Sequence, residues 1–285
     1  MSDRVGVVGA GTMGTGVTAD LLLHCIPVVL TDIDEGRLQK ARREIEKTVR
    51  FAPLVYREAP KVAVRAAMER VVFTTCLNAL RDCDFIIENV REDGTVKKEL
   101  YRQLDAICAP DVIFGVNTSC LSITELAGVT RRPDKFVGIH FMNPVFAKPV
   151  VEVMRGVHTS EETLERCQQL LRRLSKEAIV VADSPGFVSN RISHLFMNEA
   201  MWVVMDGVAT PSQVDQIFKK CFGHTMGPLE TADLIGLDVV MDSLSVLHES
   251  YQDNKFRRCP LLKRMVDSGF LGRKSGKGFF EYPEG

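Results

Sequence analysis

The sequence predicts an α/β protein of two domains, the first built on a largely parallel sheet flanked by helices and the second all-α. Up to about residue 182, short apolar runs alternate with stretches of helical spacing, which is typical of βαβ units. Beyond residue 183 the apolar spacing is helical almost throughout. A length of 285 residues is long for one core and fits two domains, for which we predict the bounds 1–182 and 183–285.

The chain opens with a βαβ pattern. An apolar run over residues 5–8 predicts a strand buried on both faces, residues 12–23 have helical spacing, and residues 28–30 form a second apolar run. A Gly-x-Gly-x-x-Gly motif at 9–14 separates the first strand from the helix, and Asp32 follows the second strand. This order is that of a Rossmann dinucleotide-binding domain.

Each part of this motif has a physical role. Gly9 permits the tight turn, Gly11 lets a pyrophosphate approach the backbone, and Gly14 lets the helix pack closely on the sheet. The helix N-terminus presents free N–H groups to the phosphates. The Asp32 carboxylate suits the ribose hydroxyls of NAD and would repel the 2′-phosphate of NADP. Arg37 could instead bind a 2′-phosphate, but an Arg at this position is more often a solvated helix residue, so we predict NAD. The predicted cofactor contacts in this stretch are Gly9, Gly11, Thr12, Met13, Gly14 and Asp32.

The rest of the first domain alternates between the same two patterns. Helical spacing covers 36–50 and resumes over 61–70, with a break predicted between Pro53 and Pro60. Ser122 and Glu125 have the spacing of a capping box. Further strands are predicted at 70–75, 85–87, 112–116, 136–139, 150–154 and 178–181, and further helices at 95–107 and 161–174.

The second domain follows a linker with the sequence Asp183-Ser184-Pro185-Gly186. Its glycine-rich tail, 272–282, predicts an ordered strap rather than a helix. Helices are predicted at 188–206, 211–220, 227–243 and 260–268.

Composition excludes several classes of function. A net charge of −1 gives no broad attraction to nucleic acid or membranes, and no stretch approaches the roughly 20 apolar residues of a membrane span. The N-terminus lacks a basic-then-apolar signal pattern. Eight cysteines without a CxxC pair, and six histidines that do not cluster with them, predict reduced thiols in a cytoplasmic protein and no metal site.

Oxidation of an alcohol by NAD needs a base near the hydroxyl, and histidine suits this role because its ordinary pKa lies near neutral pH. His140 and Glu152 stand twelve residues apart on two extended runs that a proline-bearing turn connects. If these runs pair as neighbouring strands, the two side chains can meet on one face. Spacing alone also fits a structural histidine and a glutamate on the polar face of an edge strand.

The chain resembles the 3-hydroxyacyl-CoA dehydrogenase family, which includes the bacterial 3-hydroxybutyryl-CoA dehydrogenases, over essentially its whole length. The matching motifs are the glycine turn with Asp32, Asn117-Thr118-Ser119, His140-Phe141-Met142-Asn143-Pro144, Val151-Glu152-Val153, Asp183 to Arg191, Met226-Gly227-Pro228, Gly236-Leu237-Asp238 and Leu271 to Phe279. So many matches in the same order make the resemblance specific.

The resemblance implies four catalytic residues. His140 is expected to take the proton of the substrate hydroxyl, and Glu152 to orient the imidazole and stabilise its protonated form. Ser119 and Asn190 are expected to hydrogen-bond the substrate oxygen. The substrate thioester is expected in a cleft between the two domains, and the helical domain is expected to form most of a homodimer interface. The family positions near the cofactor correspond to Glu88, Lys97, Asn117 and Asn143.

The substrate is predicted from departures within the family. Lys148-Pro149 stands where CoA enzymes usually have Lys-Leu, Asn89 replaces a usual small residue, and Thr225 changes another common motif. The runs 142–153, 222–238 and 256–280 look like a branch from polyketide pathways that oxidises a glyceryl group on an acyl carrier protein, for hydroxymalonyl and methoxymalonyl units. The alternatives are a 3-hydroxybutyryl-CoA dehydrogenase of fatty-acid metabolism, a gulonate-type polyol-acid dehydrogenase, and an NAD-binding protein without catalysis.

Overall fold

The computed structural model describes residues 4–282, which fall into two compact units, 4–183 and 184–282. The first unit contains one eight-stranded sheet, and the second is helical. The prediction of a Rossmann-type α/β unit followed by an all-α unit is confirmed. No helix among residues 4–282 is both long and apolar enough to cross a membrane.

The sheet has the strand order β3-β2-β1-β4-β5-β6-β7-β8. All neighbouring strands are parallel except β6 and β7, which pair antiparallel. Strands β1, β2, β4 and β5 are buried at every position, as their unbroken apolar runs predict for a sheet covered on both faces. The strands are β1 (Val5–Val8), β2 (Val28–Thr31), β3 (Val71–Thr74), β4 (Phe85–Glu88), β5 (Ile113–Val116), β6 (Phe136–His140), β7 (Val150–Arg155) and β8 (Glu177–Ala182).

Six α-helices connect the strands of this unit: α1 (Thr12–Leu23), α2 (Glu35–Val55), α3 (Val64–Met68), α4 (Gly94–Ile107), α5 (Ile123–Ala127) and α6 (Glu161–Arg173). The predicted break between Pro53 and Pro60 is present, but it begins later than Pro53, because α2 continues through that residue to Val55. Pro53 lies in the last turn, where its missing N–H removes one helix hydrogen bond, and the Tyr56 amide still donates to the Ala52 carbonyl at 2.8 Å. The predicted helix over 61–70 is shorter and spans only α3.

The start of α5 is held by Asp183, the last residue of the first unit. Its carboxylate accepts hydrogen bonds from the amides of Ile123 and Thr124 at 3.1 and 2.8 Å and from the hydroxyl of Ser122 at 2.9 Å. Ser122 in turn accepts from the Glu125 amide at 3.2 Å, but the Glu125 carboxylate bonds Lys98. Only half of the predicted capping box is therefore formed, and Asp183 supplies the remaining acceptor for the free amides.

The second unit consists of α7 (Ser189–Met205), α8 (Pro211–Phe222), α9 (Pro228–Ile235), α10 (Leu237–Tyr251) and α11 (Pro260–Asp267). The single helix predicted over 227–243 is wrong. Gly236, with φ 107° and ψ 124°, separates α9 from α10, and such a conformation is available mainly to glycine. The predicted strap is ordered, and the Asp233 carboxylate accepts from the amides of Phe279 and Phe280 at 3.0 Å each.

Candidate active site

The glycine turn after β1 tolerates no side chains where the backbone comes closest. A Cβ on Gly9 would lie 2.7 Å from the Asn89 carbonyl oxygen, and one on Gly14 would lie 1.8 Å from the Gly9 oxygen. A Cβ on Gly11, by contrast, would meet no atom within 4 Å, so the space above this residue is open. Gly11 precedes α1, whose N-terminus is capped by no side chain, so Thr12 and Met13 begin the helix facing this space. An open space beside a free helix N-terminus fits the phosphates of a dinucleotide.

Asp32 lies beside this turn, directly after β2. Its Oδ2 accepts from the Ala10 amide at 2.8 Å and its Oδ1 from the Asp34 amide at 3.0 Å. These two bonds fix the carboxylate, and each oxygen keeps a lone pair for a further donor. The arrangement suits the two hydroxyls of an adenosine ribose, as the sequence predicts.

His140 and Glu152 occupy opposing positions on the antiparallel strands β6 and β7. Opposing residues in such a pair project from the same face, and the His140 Nδ1 lies 3.2 Å from the Glu152 Oε2. Only 8% of His140 and 7% of Glu152 is exposed, so the pair is shielded from water. The strand pairing on which the predicted dyad depends is therefore present.

The second nitrogen of the imidazole faces Ser119. The Ser119 Oγ lies 3.4 Å from the His140 Nε2, so three side chains form a line from Ser119 through His140 to Glu152. A proton on Nδ1, donated to the carboxylate, leaves Nε2 with the lone pair that a base needs.

Glu92 belongs to this site and was missed by the sequence reasoning. Its Oε1 accepts from the amides of Ser119 and Cys120 at 2.7 and 3.1 Å and from the Thr118 hydroxyl. Glu92 therefore holds the turn that carries Ser119. A signal was available, because Glu92 follows β4 and the turn follows β5, and these strands are parallel neighbours whose carboxyl ends lie together.

Glu88 and Lys97 form a buried ion pair. The Lys97 Nζ lies 2.7 and 2.8 Å from the two Glu88 carboxylate oxygens and 3.1 Å from the Asn117 carbonyl oxygen, and both side chains are 0% exposed. Burial raises the pKa of Glu88, and the Lys97 charge opposes that shift. Both side chains are closed off from the surface, and their predicted position near the cofactor stays a prediction. The pair ties together the ends of β4 and β5.

The remaining predicted residues lie in different surroundings. The Asn117 side-chain Nδ2 donates to the Asn89 Oδ1 at 2.7 Å, and the Asn117 Oδ1 accepts from the backbone amide of Phe141 at 3.3 Å. Asn143 is exposed on the connection between β6 and β7. Asn190 lies in the second unit, in the first turn of α7, and its role toward a substrate stays a prediction.

Comparison with known families agrees with these features. A model of the "3-hydroxyacyl-CoA dehydrogenase, NAD binding domain" matches residues 4–184, and one of the "3-hydroxyacyl-CoA dehydrogenase, C-terminal domain" matches residues 186–282. The chain belongs to the 3-hydroxyacyl-CoA dehydrogenase family. The predictions of NAD as cofactor and of an NAD-dependent oxidoreductase are confirmed with it.

Individual family members resemble the chain over its full length. A probable 3-hydroxybutyryl-CoA dehydrogenase of Bacillus subtilis is 39% identical, over 99% of this chain and 98% of its own. A 3-hydroxybutyryl-CoA dehydrogenase of Bradyrhizobium diazoefficiens is 40% identical, over 98% of this chain and 95% of its own. The crystal structure of an (S)-3-hydroxybutyryl-CoA dehydrogenase from Ralstonia eutropha superposes with a TM-score of 0.92 at 37% identity and covers 100% of both chains.

Proposed function

We propose that the chain catalyses the NAD-dependent oxidation of 3-hydroxybutyryl-CoA, or of a closely similar short 3-hydroxyacyl-CoA, to the 3-oxo thioester. The observation that carries the proposal is the buried His140–Glu152 pair at 3.2 Å with Ser119 on the other imidazole nitrogen. The full-length likeness to enzymes named 3-hydroxybutyryl-CoA dehydrogenases supports this substrate.

In the proposed reaction His140 removes the proton from the hydroxyl on C3, and the carbon–oxygen double bond forms as hydride leaves C3. NAD, when bound, accepts that hydride. Glu152 keeps the imidazole oriented and stabilises the positive charge that it acquires. Ser119 donates a hydrogen bond to the substrate oxygen and so holds C3 in reach of the base. The low exposure of the pair keeps water away from the proton transfer.

The test is to replace His140 with glutamine. We expect His140→Gln to reduce turnover of 3-hydroxybutyryl-CoA to background while NAD still binds, with NADH formation followed by absorbance and NAD binding by calorimetry. His158→Gln removes an exposed histidine of the same unit and is the matched control, for which wild-type turnover is expected. Substantial turnover by the His140 variant would remove it as the base.

The carrier of the acyl group is a separate question. The departures at Asn89, Lys148-Pro149 and Thr225 favour the glyceryl–carrier-protein substrate, whereas the named relatives favour CoA, and we place the CoA thioester first. Comparing kcat/KM for 3-hydroxybutyryl-CoA and for a glyceryl-acyl carrier protein decides between them. A much higher kcat/KM with the glyceryl-acyl carrier protein than with 3-hydroxybutyryl-CoA would place the carrier-protein substrate first.

A homodimer through the second unit is also proposed. Exposed apolar side chains on its helices support it, with Ile192 62%, Ile217 50% and Phe222 66% exposed. We expect the protein to sediment as a dimer and the double variant Ile217→Lys/Phe222→Lys to shift toward the monomer. A wild-type monomer at micromolar concentration would contradict this.

A further inference from the structure

Lys176 lies between α6 and β8, with its ammonium inside the first unit. Its side chain is only 3% exposed. The Nζ lies 2.7 Å from the Val145 carbonyl oxygen, 2.9 Å from the Lys148 carbonyl oxygen and 3.1 Å from the Asp20 Oδ2. The ammonium donates hydrogen bonds to the two carbonyl oxygens, and the Asp20 carboxylate balances its charge as an ion pair.

The partner of Lys176 in this ion pair is equally buried. Asp20 belongs to α1 and is 1% exposed. Burial raises the pKa of Asp20, and the charge of Lys176 opposes the rise. Ion pairs of this kind are often no more stabilising than apolar residues of the same volume, because both charges lose their hydration. A buried ion pair is therefore weak evidence of a purely stabilising role, and the residues that Lys176 connects are more informative.

Lys176 connects two parts of the candidate site. Its two carbonyl partners lie in the connection 141–149, which joins His140 at the end of β6 to the strand that carries Glu152. Its carboxylate partner, Asp20, lies on α1, the helix that starts at the glycine turn. The same connection also packs on α1 through Val145, since a Cβ on Gly16 would lie 3.0 Å from the Val145 Cγ2.

We propose that Lys176 is a positioning residue which, by bridging Asp20 to the carbonyls of Val145 and Lys148, fixes the His140–Glu152 strand pair relative to the dinucleotide-binding helix. The inference rests on the proposed function, because it assigns the bridge a role in aligning base and cofactor. Hydride transfer requires reacting atoms about 3–3.5 Å apart, and a misplacement of about 1 Å can cost about 100-fold in rate. A side chain that joins the His140–Glu152 strand pair to α1 is suited to limit a shift of the base relative to the cofactor.

The experiment compares Lys176→Met, the double variant Asp20→Asn/Lys176→Met and the wild type. Lys176→Met keeps the apolar stem, shortens the side chain by one heavy atom and removes the three donors. We expect kcat with 3-hydroxybutyryl-CoA to fall about 10- to 100-fold, with the KM for the thioester little changed, since Lys176 does not line the space beside His140. In the double variant the carboxylate that Lys176 neutralised is gone, so we expect the melting temperature to recover toward the wild type while kcat stays low.

Hydrogen exchange provides a measurement that does not depend on activity. The amides of Ala147 and Lys148 donate to the Pro144 and Val145 carbonyls within the connection. In Lys176→Met we expect these amides to exchange about 10-fold faster or more, by the local opening of a released segment. Arg172→Met, which removes an exposed cation at the end of α6, is the control and should change neither exchange nor kcat.

The outcomes separate the two proposals. Unchanged exchange at 147 and 148 in Lys176→Met overturns the bridge, whether or not the enzyme turns over. A double variant that recovers kcat together with melting temperature also overturns it, because the pair would then be structural only. Failure of the wild type to oxidise any 3-hydroxyacyl thioester would instead overturn the proposed function.

Discussion

Replacing Glu152 with glutamine tests the dyad without removing the base. The change keeps the size of the side chain and one oxygen, but it removes the negative charge that lies 3.2 Å from the His140 Nδ1. The imidazole gains a positive charge when it takes the substrate proton, so the lost attraction raises the energy of the transition state more than that of the bound substrate.

The expected size follows from the distance and the burial. For unit charges about 4 Å apart, an effective dielectric constant of about 20 gives about 4 kcal/mol. The glutamine dipole replaces part of this attraction, which leaves a loss of about 2–3 kcal/mol. Because about 1.4 kcal/mol corresponds to tenfold in rate, kcat should fall about 30- to 150-fold.

The assay is steady-state formation of NADH from 3-hydroxybutyryl-CoA, with calorimetry to show that NAD affinity is kept. Glu177→Gln removes an exposed glutamate at the start of the neighbouring strand β8 and should retain wild-type kcat. A Glu152 variant whose kcat stays within threefold of the wild type would refute the reasoning, and so would an equal loss in the control.

Three further tests, two of them with a control variant, address other parts of the fold and site. Asp32→Ala should weaken the binding of NAD about 10-fold and abolish the preference for NAD over NADP. The control Asp34→Ala should change neither. Titration calorimetry with both dinucleotides measures these affinities. Lys97→Met leaves a fully buried carboxylate unpaired and should cost about 3–5 kcal/mol, seen as a lower melting temperature. Lys98→Met, at a partly exposed pair, should cost less than about 1 kcal/mol. For Asp105, burial would raise the pKa, but hydrogen bonds from two arginines outweigh it and lower the pKa. Its stabilisation is therefore present above the unfolded pKa of about 4 and is lost as pH falls through the folded value, so melting curves of Asp105→Asn and the wild type should converge in acid.

Local patterns predicted much of the first unit because its elements depend on neighbouring residues. The buried strands are unbroken apolar runs, and the glycine turn follows from the backbone geometry that its three glycines allow. The pairing of β6 with β7 was also predictable, because a short proline-bearing connection between two extended runs favours an antiparallel hairpin.

Contacts between residues distant in sequence were not predictable in the same way. The Glu92 carboxylate accepts from the amide of Ser119, which lies 27 residues further along the chain. This separation between the two residues matches no sequence motif. The break at Gly236 depends on a positive φ, which helical apolar spacing does not reveal. The burial of Lys97 depends on the Glu88 carboxylate and the Asn117 carbonyl closing around it from two strands. Tertiary context decided each of these.

The Asp183 carboxylate, which accepts hydrogen bonds from the first amides of α5, affects where the gene could be divided. A fragment that ended at Ala182 would encode every strand of the sheet, yet the amides of Ile123 and Thr124 would lose their acceptor. Extending the fragment by the single codon for Asp183 restores that acceptor. The shortest independently expressed version of the NAD-binding unit should therefore end no earlier than this residue.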